Sequence, residues 1–132
     1  MIVVDASVVV DFLLAQPPHY AAIVALLRAH ERELVAPYLL DAEIGQVLRR
    51  LVRAGSIDSE RADEAITDFL ALGIIRYPHV PLMRRAFELR DNTTYYDALY
   101  LALAETLGVA FLTRDGALRT VPGHRARVDV LA

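Results

Sequence analysis

The chain has 132 residues, of which 55% are hydrophobic; that is enough for one domain burying roughly two thirds of its unfolded surface, and too apolar for a disordered linker or tail. Fourteen cationic residues stand against seventeen acids, a net charge of −3, so there is no general basic field to hold a nucleic acid backbone and any such binding must be local. The cations are all arginine and cysteine is absent, which removes the phosphate-loop lysine, Schiff-base chemistry, disulfides, thiolate nucleophiles and cysteine-held metals.

Ile2 to Val4 are β-branched and end in Asp5, and Ser7 to Leu14 reads as a helix entered through a cap at Ser7. Pro17-Pro18 breaks the chain, after which His19 to His30 resumes as a helix with Ile23, Leu26 and Leu27 on its apolar side. Leu34 to Ala36 is the second strand, and Pro37 opens a long helix. Leu40, Ile44, Val47, Leu48, Leu51 and Val52 make that helix amphipathic, and Gly55 stops it. Asp58 caps a helix to about Leu72, Ile74 to Tyr77 is a strand, and Leu82 to Leu89 is another helix. Tyr95 to Leu107 is apolar nearly all round, the mark of a central helix, and ends at Gly108. Val109 to Thr113 is a buried-type strand, Ala117 to Thr120 a helical turn, and Val128 to Leu131 a last strand.

Strands alternating with helices predict an α/β domain over residues 1–132, a parallel sheet covered by helices, with ligands taken at the carboxyl ends of the strands. No apolar run approaches the ~18 residues of a membrane span. Asp5 follows directly on the first apolar residues where a secretory leader would carry basic ones, so a cytoplasmic protein is expected.

Four acids occupy places where chemistry could gather. Asp5 ends the first strand, and Asp115 stands in the same relation to the strand ending at Thr113; the first also suits a turn or helix entry, the second a turn. Asp97, three residues after Thr94, suits the acidic partner of a capping box, a role compatible with catalysis because the helix N-terminus favours the ionised form. Glu43 lies at the border of its helix's apolar stripe, ordinary surface unless it faces a cleft. Converging acids without a counter-charge would raise one another's pKa, so such a cluster implies a divalent cation. Oxygen-only ligation points to Mg2+ or Mn2+ and to hydrolysis of a phosphodiester.

Histidines 19, 30, 79 and 124 show no ligand spacing and read as surface residues. Gln46, Arg50 and Arg53 follow Glu43 along the helix edge, and the two arginines are candidate phosphate contacts or simply a solvated face.

Val3-Val-Asp-Ala-Ser-Val-Val9, Leu40-Asp-Ala-Glu-Ile44, Thr94-Tyr-Tyr-Asp-Ala-Leu-Tyr-Leu-Ala-Leu-Ala-Glu105 and Leu112-Thr-Arg-Asp115 together resemble the PIN-domain ribonucleases, and within them the VapC-type toxins of toxin–antitoxin pairs. The resemblance spans essentially the whole chain. It implies a three-layer α/β/α fold whose acidic pocket binds magnesium or manganese and cuts single-stranded or loop RNA, leaving 3′-hydroxyl and 5′-phosphate ends. It implies that Asp5, Glu43, Asp97 and Asp115 are the catalytic and metal-binding acids, supported by Ser7 and Thr113. Some relatives carry a fifth acid after the fourth; this chain has Gly116-Ala-Leu-Arg119 there. A homodimer, and a VapB-type antitoxin whose C-terminal segment crosses the active-site groove, are the partners the resemblance implies.

Two other readings stand beside the metal-dependent endoribonuclease. One is a catalytically weak module that chiefly binds a partner protein, its surplus of apolar residues covering an interface. The other is a phosphatase with Asp5 as nucleophile, disfavoured because Ser7 stands where such enzymes commonly need a second aspartate.

Overall fold

In the computed structural model the described residues are 1–15, 19–29 and 33–131. The Pro17-Pro18 break, His30 and the side chain of Leu26 lie outside them. Five parallel strands form one sheet in the order β3-β2-β1-β4-β5, with β1 Ile2–Val4, β2 Leu34–Pro37, β3 Ile75–Tyr77, β4 Phe111–Thr113 and β5 Val128–Val130. Among the described residues six helices flank it: α1 Ala6–Leu14, α2 His19–Ala29, α3 Leu39–Arg53, α4 Ser59–Ala71, α5 Met83–Glu88 and α6 Tyr95–Leu107. The result is a three-layer α/β/α domain, as the alternation of patterns predicts.

β1 is central, paired with β2 on one side and β4 on the other, which explains why Ile2, Val3 and Val4 are all buried. The chain builds outward from β1 through β2 to β3, then returns to lay β4 and β5 on the opposite edge. The order of the sheet therefore reverses between β1 and β4, and a crevice opens beyond the carboxyl ends of those two strands. Asp5 follows β1 directly, and Thr113 closes β4.

α6 packs against β1, β2 and β4 as well as α5, which is why Ala98 to Ala104 are buried without a break. Gly108, at φ +65°, ends it, its N–H returning to the carbonyls of Ala104 and Glu105. α3 buries only Leu40, Ile44 and Leu48 fully, leaving Val47, Leu51 and Val52 partly covered at the edge of the core.

Local expectations fail at two positions and for identifiable reasons. The N-cap of α1 is Asp5, whose carboxylate accepts from Val8 N–H; Ser7 lies inside the helix. Pro37 is not the first residue of α3 but the last of β2, opposite Tyr77. The missing N–H costs nothing there because the next residue, Tyr38, carries the ladder forward by donating to the Tyr77 carbonyl at 2.9 Å.

Candidate active site

Asp5 is held from two directions. Ser7 Oγ donates to its Oδ1 at 2.5 Å, and Thr113 Oγ1 donates to its Oδ2 at 2.5 Å. Each hydroxyl also accepts a backbone N–H from the segment after β4: Arg114 N–H donates to Ser7 Oγ at 3.2 Å, and Asp115 N–H to Thr113 Oγ1 at 3.1 Å. The two hydroxyls therefore tie the ends of β1 and β4 together through one carboxylate. Asp115 caps the short 3-10 turn Gly116–Thr120 by accepting from Ala117 N–H at 3.0 Å.

Glu43 comes from α3 and Asp97 from the first turn of α6, where Thr94 caps the helix by accepting Asp97 N–H at 3.1 Å. Tyr100, one turn beyond Asp97, donates its hydroxyl to Glu43 Oε1 at 2.5 Å. Its ring is buried and stacked on Phe111 of β4, with centroids 5.5 Å apart. The acids thus arrive from the end of β1, from α3, from the start of α6 and from the end of β4.

Their electrostatics show that they share one field. Burial raises the Asp5 carboxyl above its usual range against the opposing hydrogen bonds from Ser7, Thr113 and Val8, and the charge of Asp97 raises it further. Burial raises Glu43 as well, opposed by the Tyr100 hydroxyl and reinforced by Asp5 and Asp97. Asp97 is raised by burial and by Asp115, against the Thr94 hydroxyl. Burial, and then the Glu43 charge, push the Tyr100 hydroxyl far above its ordinary value, so it stays protonated and remains a donor.

Among the described residues no three His, Asp or Glu side chains are drawn to the spacing of a ready-made metal cage. The chemistry of the donors nevertheless fits a hard divalent cation: four carboxylates with no thiol in the chain. Three of them are disfavoured as anions, a state that a cation would relieve.

Glu43 lines a cleft of about 410 Å³ with Ala6, Gln46, Arg50 and Tyr96. Arg53 does not belong to it; it lines a separate groove between α3 and α4, with Asp63 and Ile66. Three residues beyond Arg50, a rotation of about 300° around the helix, carry it off the Glu43 edge. Two of the histidines are less superficial than their neighbours in sequence implied: His19 is buried, and His79 Nε2 accepts Leu39 N–H at 2.9 Å, which fixes the start of α3.

Tyr100 and Tyr96 are the site's unforeseen members, and behind it Arg114, which follows Thr113, donates from NH1 to the buried Asp11 at 3.0 Å. A tyrosine in an otherwise apolar helix, and an aspartate within Val8-Val-Val-Asp-Phe-Leu13, were the available signals, because a buried polar group must find a partner.

A parallel sheet reversing at β1 and β4, with acids gathered over that point, defines an α/β protein with a carboxylate-based site. The PIN domain family model matches residues 2–123, and the chain belongs to that family. It is 44% identical to Ribonuclease VapC1 of Mycobacterium tuberculosis over 132 residues, covering 98% of this chain and 96% of the relative. It is 36% identical to Ribonuclease VapC12 of the same organism, covering 100% of both chains. In fold it is similar to the structure of VapBC2 from Rickettsia felis, with a TM-score of 0.72 at 15% identity and 100% of each chain covered.

Proposed function

We propose that this protein is a Mg2+- or Mn2+-dependent endoribonuclease that acts in the cytoplasm as the toxin of a toxin–antitoxin pair. The observation that carries the reading is that Asp5, Glu43, Asp97 and Asp115 feel one another's charge beyond the ends of β1 and β4: Asp5 and Glu43 are raised in part by Asp97, and Asp97 in part by Asp115. The relatives named as VapC ribonucleases share this chain nearly end to end, which supports RNA as the substrate and a VapB-type antitoxin as the partner. A homodimer is proposed on the same family ground.

Asp5, Glu43, Asp97 and Asp115 would hold the cation. When bound, it supplies Lewis acidity, acidifying water and offsetting charge on the scissile phosphate. The chain's own residues supply orientation. Ser7 and Thr113 fix both oxygens of Asp5, and Tyr100 fixes one oxygen of Glu43, so two acids from different layers keep their aim. Arg50 and Gln46 offer a phosphate and a base edge their partners along the cleft, and the exposed ring of Tyr96 offers a base a stacking face. Water attack at phosphorus with departure of the 3′ oxygen leaves 3′-hydroxyl and 5′-phosphate ends.

The test is cleavage of pooled total RNA by the purified protein with Mg2+, with EDTA, and as Asp97→Asn. Cleavage that needs both the metal and Asp97 is expected. Cleavage that survives EDTA and Asp97→Asn would overturn the reading.

A further inference from the structure

Arg114 sits between Thr113 and Asp115, beside the acids and half-exposed, where an arginine is ordinarily taken for a phosphate contact. Its geometry gives it a different task. Arg114 NH1 lies 3.0 Å from Oδ1 of Asp11, whose side chain is only 2% exposed. The other Asp11 oxygen, Oδ2, is buried with no hydrogen-bond partner among the described residues. Burying a carboxylate with one oxygen unpartnered is costly, and a buried ion pair of this kind is poor evidence for added stability. Its worth lies in fixing one arrangement.

What it fixes is visible one turn earlier on α1. Ser7 and Asp11 are four residues apart and so face the same side of the helix. Ser7 Oγ takes the backbone N–H of Arg114, and Asp11 takes its guanidinium. One residue of the post-β4 segment is thus held at backbone and side chain by consecutive turns of α1. Its two neighbours are the hydroxyl that grips Asp5 and the acid that caps the 3-10 turn.

We propose that Asp11 and Arg114 form a latch that locks the segment 113–115 onto α1, acting as positioning residues for Asp5 and Asp115, with the guanidinium committed to Asp11 rather than to substrate. The kinetic part rests on the nuclease reading; the structural part does not.

The variants are Asp11→Asn, which keeps the Arg114 charge, Arg114→Gln, their double combination, and Arg114→Lys. Amide hydrogen exchange without metal reads the latch directly. Exchange at Arg114, Asp115 and Ala117 is expected to quicken about tenfold or more in both single variants, while the amides of β1 and α6 keep their protection. With a single-stranded oligoribonucleotide and Mn2+, kcat is expected to fall about ten- to a hundredfold in each, with KM steady. The double variant should be no worse than the poorer single one, because the two act as a unit, and Arg114→Lys should recover part of the loss. Unchanged exchange in both single variants overturns the latch, even if the protein cleaves no RNA. So does an Arg114→Gln variant that raises KM and flattens the salt dependence while Asp11→Asn is silent, because Arg114 would then be touching phosphate. Should Asp11→Asn fail to fold, Arg114→Gln and Arg114→Lys, altered at a half-exposed position, decide the question by the same exchange and kinetic readouts.

Discussion

Tyr100→Phe removes one oxygen from the centre of the protein and isolates what the Glu43 hydrogen bond does. The ring remains, still buried and still stacked on Phe111, so packing changes by little more than the volume of a hydroxyl. A hydrogen bond to a charged acceptor contributes about 1.5–3 kcal/mol. Glu43 is only half-buried, and water can replace part of the lost donor, so the net loss of stability should be about 1 kcal/mol, read as a shift in the urea midpoint. The cation should notice more than the fold does. Removing the partner that orients a ligating carboxylate costs about tenfold or more in metal affinity. The pH dependence has a definite sign: the Tyr100 bond lowers the Glu43 pKa against the upward pull of burial, so its removal raises that pKa further. At any fixed pH more of Glu43 is then protonated, and the defect in Mn2+ affinity, measured calorimetrically, should be larger at pH 6 than at pH 7.5. A variant that keeps wild-type affinity within twofold at both pH values, with its structure intact, would refute the claim that Tyr100 aims Glu43.

Without metal, the acids should make the protein less stable as pH rises. Asp5, Glu43 and Asp97 all have folded-state pKa values raised above their usual 3.8, 4.5 and 3.8, so their favourable contribution is complete below about pH 4 and lost as pH climbs through the folded values. Asp97→Asn should therefore melt higher than wild type at pH 7 while losing cleavage, and Mg2+ at a hundred times its Kd should restore about 2.7 kcal/mol to wild type. A metal-free wild type as stable as Asp97→Asn at pH 7 would contradict this. Glu105 behaves oppositely: although its own burial opposes ionisation, bonds from Arg85 at 2.7 and 3.0 Å and from Arg125 N–H at 2.6 Å hold its pKa below 4.5. Its contribution is present above about pH 4.5 and lost in acid, and Glu105→Gln should cost about 2 kcal/mol at neutral pH and progressively less below pH 4. Along the cleft, Arg50→Ala and Tyr96→Ala should raise KM for RNA, the first with a shallower salt dependence and the second without one. Arg53→Ala should leave KM unchanged, since Arg53 lines the groove between α3 and α4; equal effects from both arginines would argue against a directional cleft.

The architecture was legible because it is written in local periodicity: β-branched strands, a long amphipathic α3 and an α6 with no polar face. Strand order was not, since nothing in Ile2–Val4 says which strands will lie beside it or that the sheet reverses there. The Ser7 and Pro37 boundaries failed because each residue type has two local uses, and the choice was made by partners that local patterning does not reveal: the Asp5 carboxylate and the distant Arg114 N–H for the first, β3 for the second. The same holds for the site. Tyr100 finds Glu43 across 57 positions, and Arg114 finds Asp11 across 103. A helical face can be inferred from spacing, but which layer closes over it is decided only by the topology.

The acids were ambiguous for a deeper reason. Asp5 caps α1 and Asp97 lies in the first turn of α6, so these two read correctly as helix-entry residues; Asp115, which reads as a turn residue, caps the 3-10 turn after β4. In a parallel sheet the carboxyl ends of strands run straight into helix starts, and the crevice lies at that level. Unpaired N–H groups at the start of α1 and α6 favour an anion there, which holds carboxylates in a place where burial and mutual repulsion would otherwise neutralise them. Capping and the proposed catalysis are therefore compatible assignments for these positions. Glu43, arriving from the side of α3, has no such N-terminus to steady it, and it is the acid that needs Tyr100.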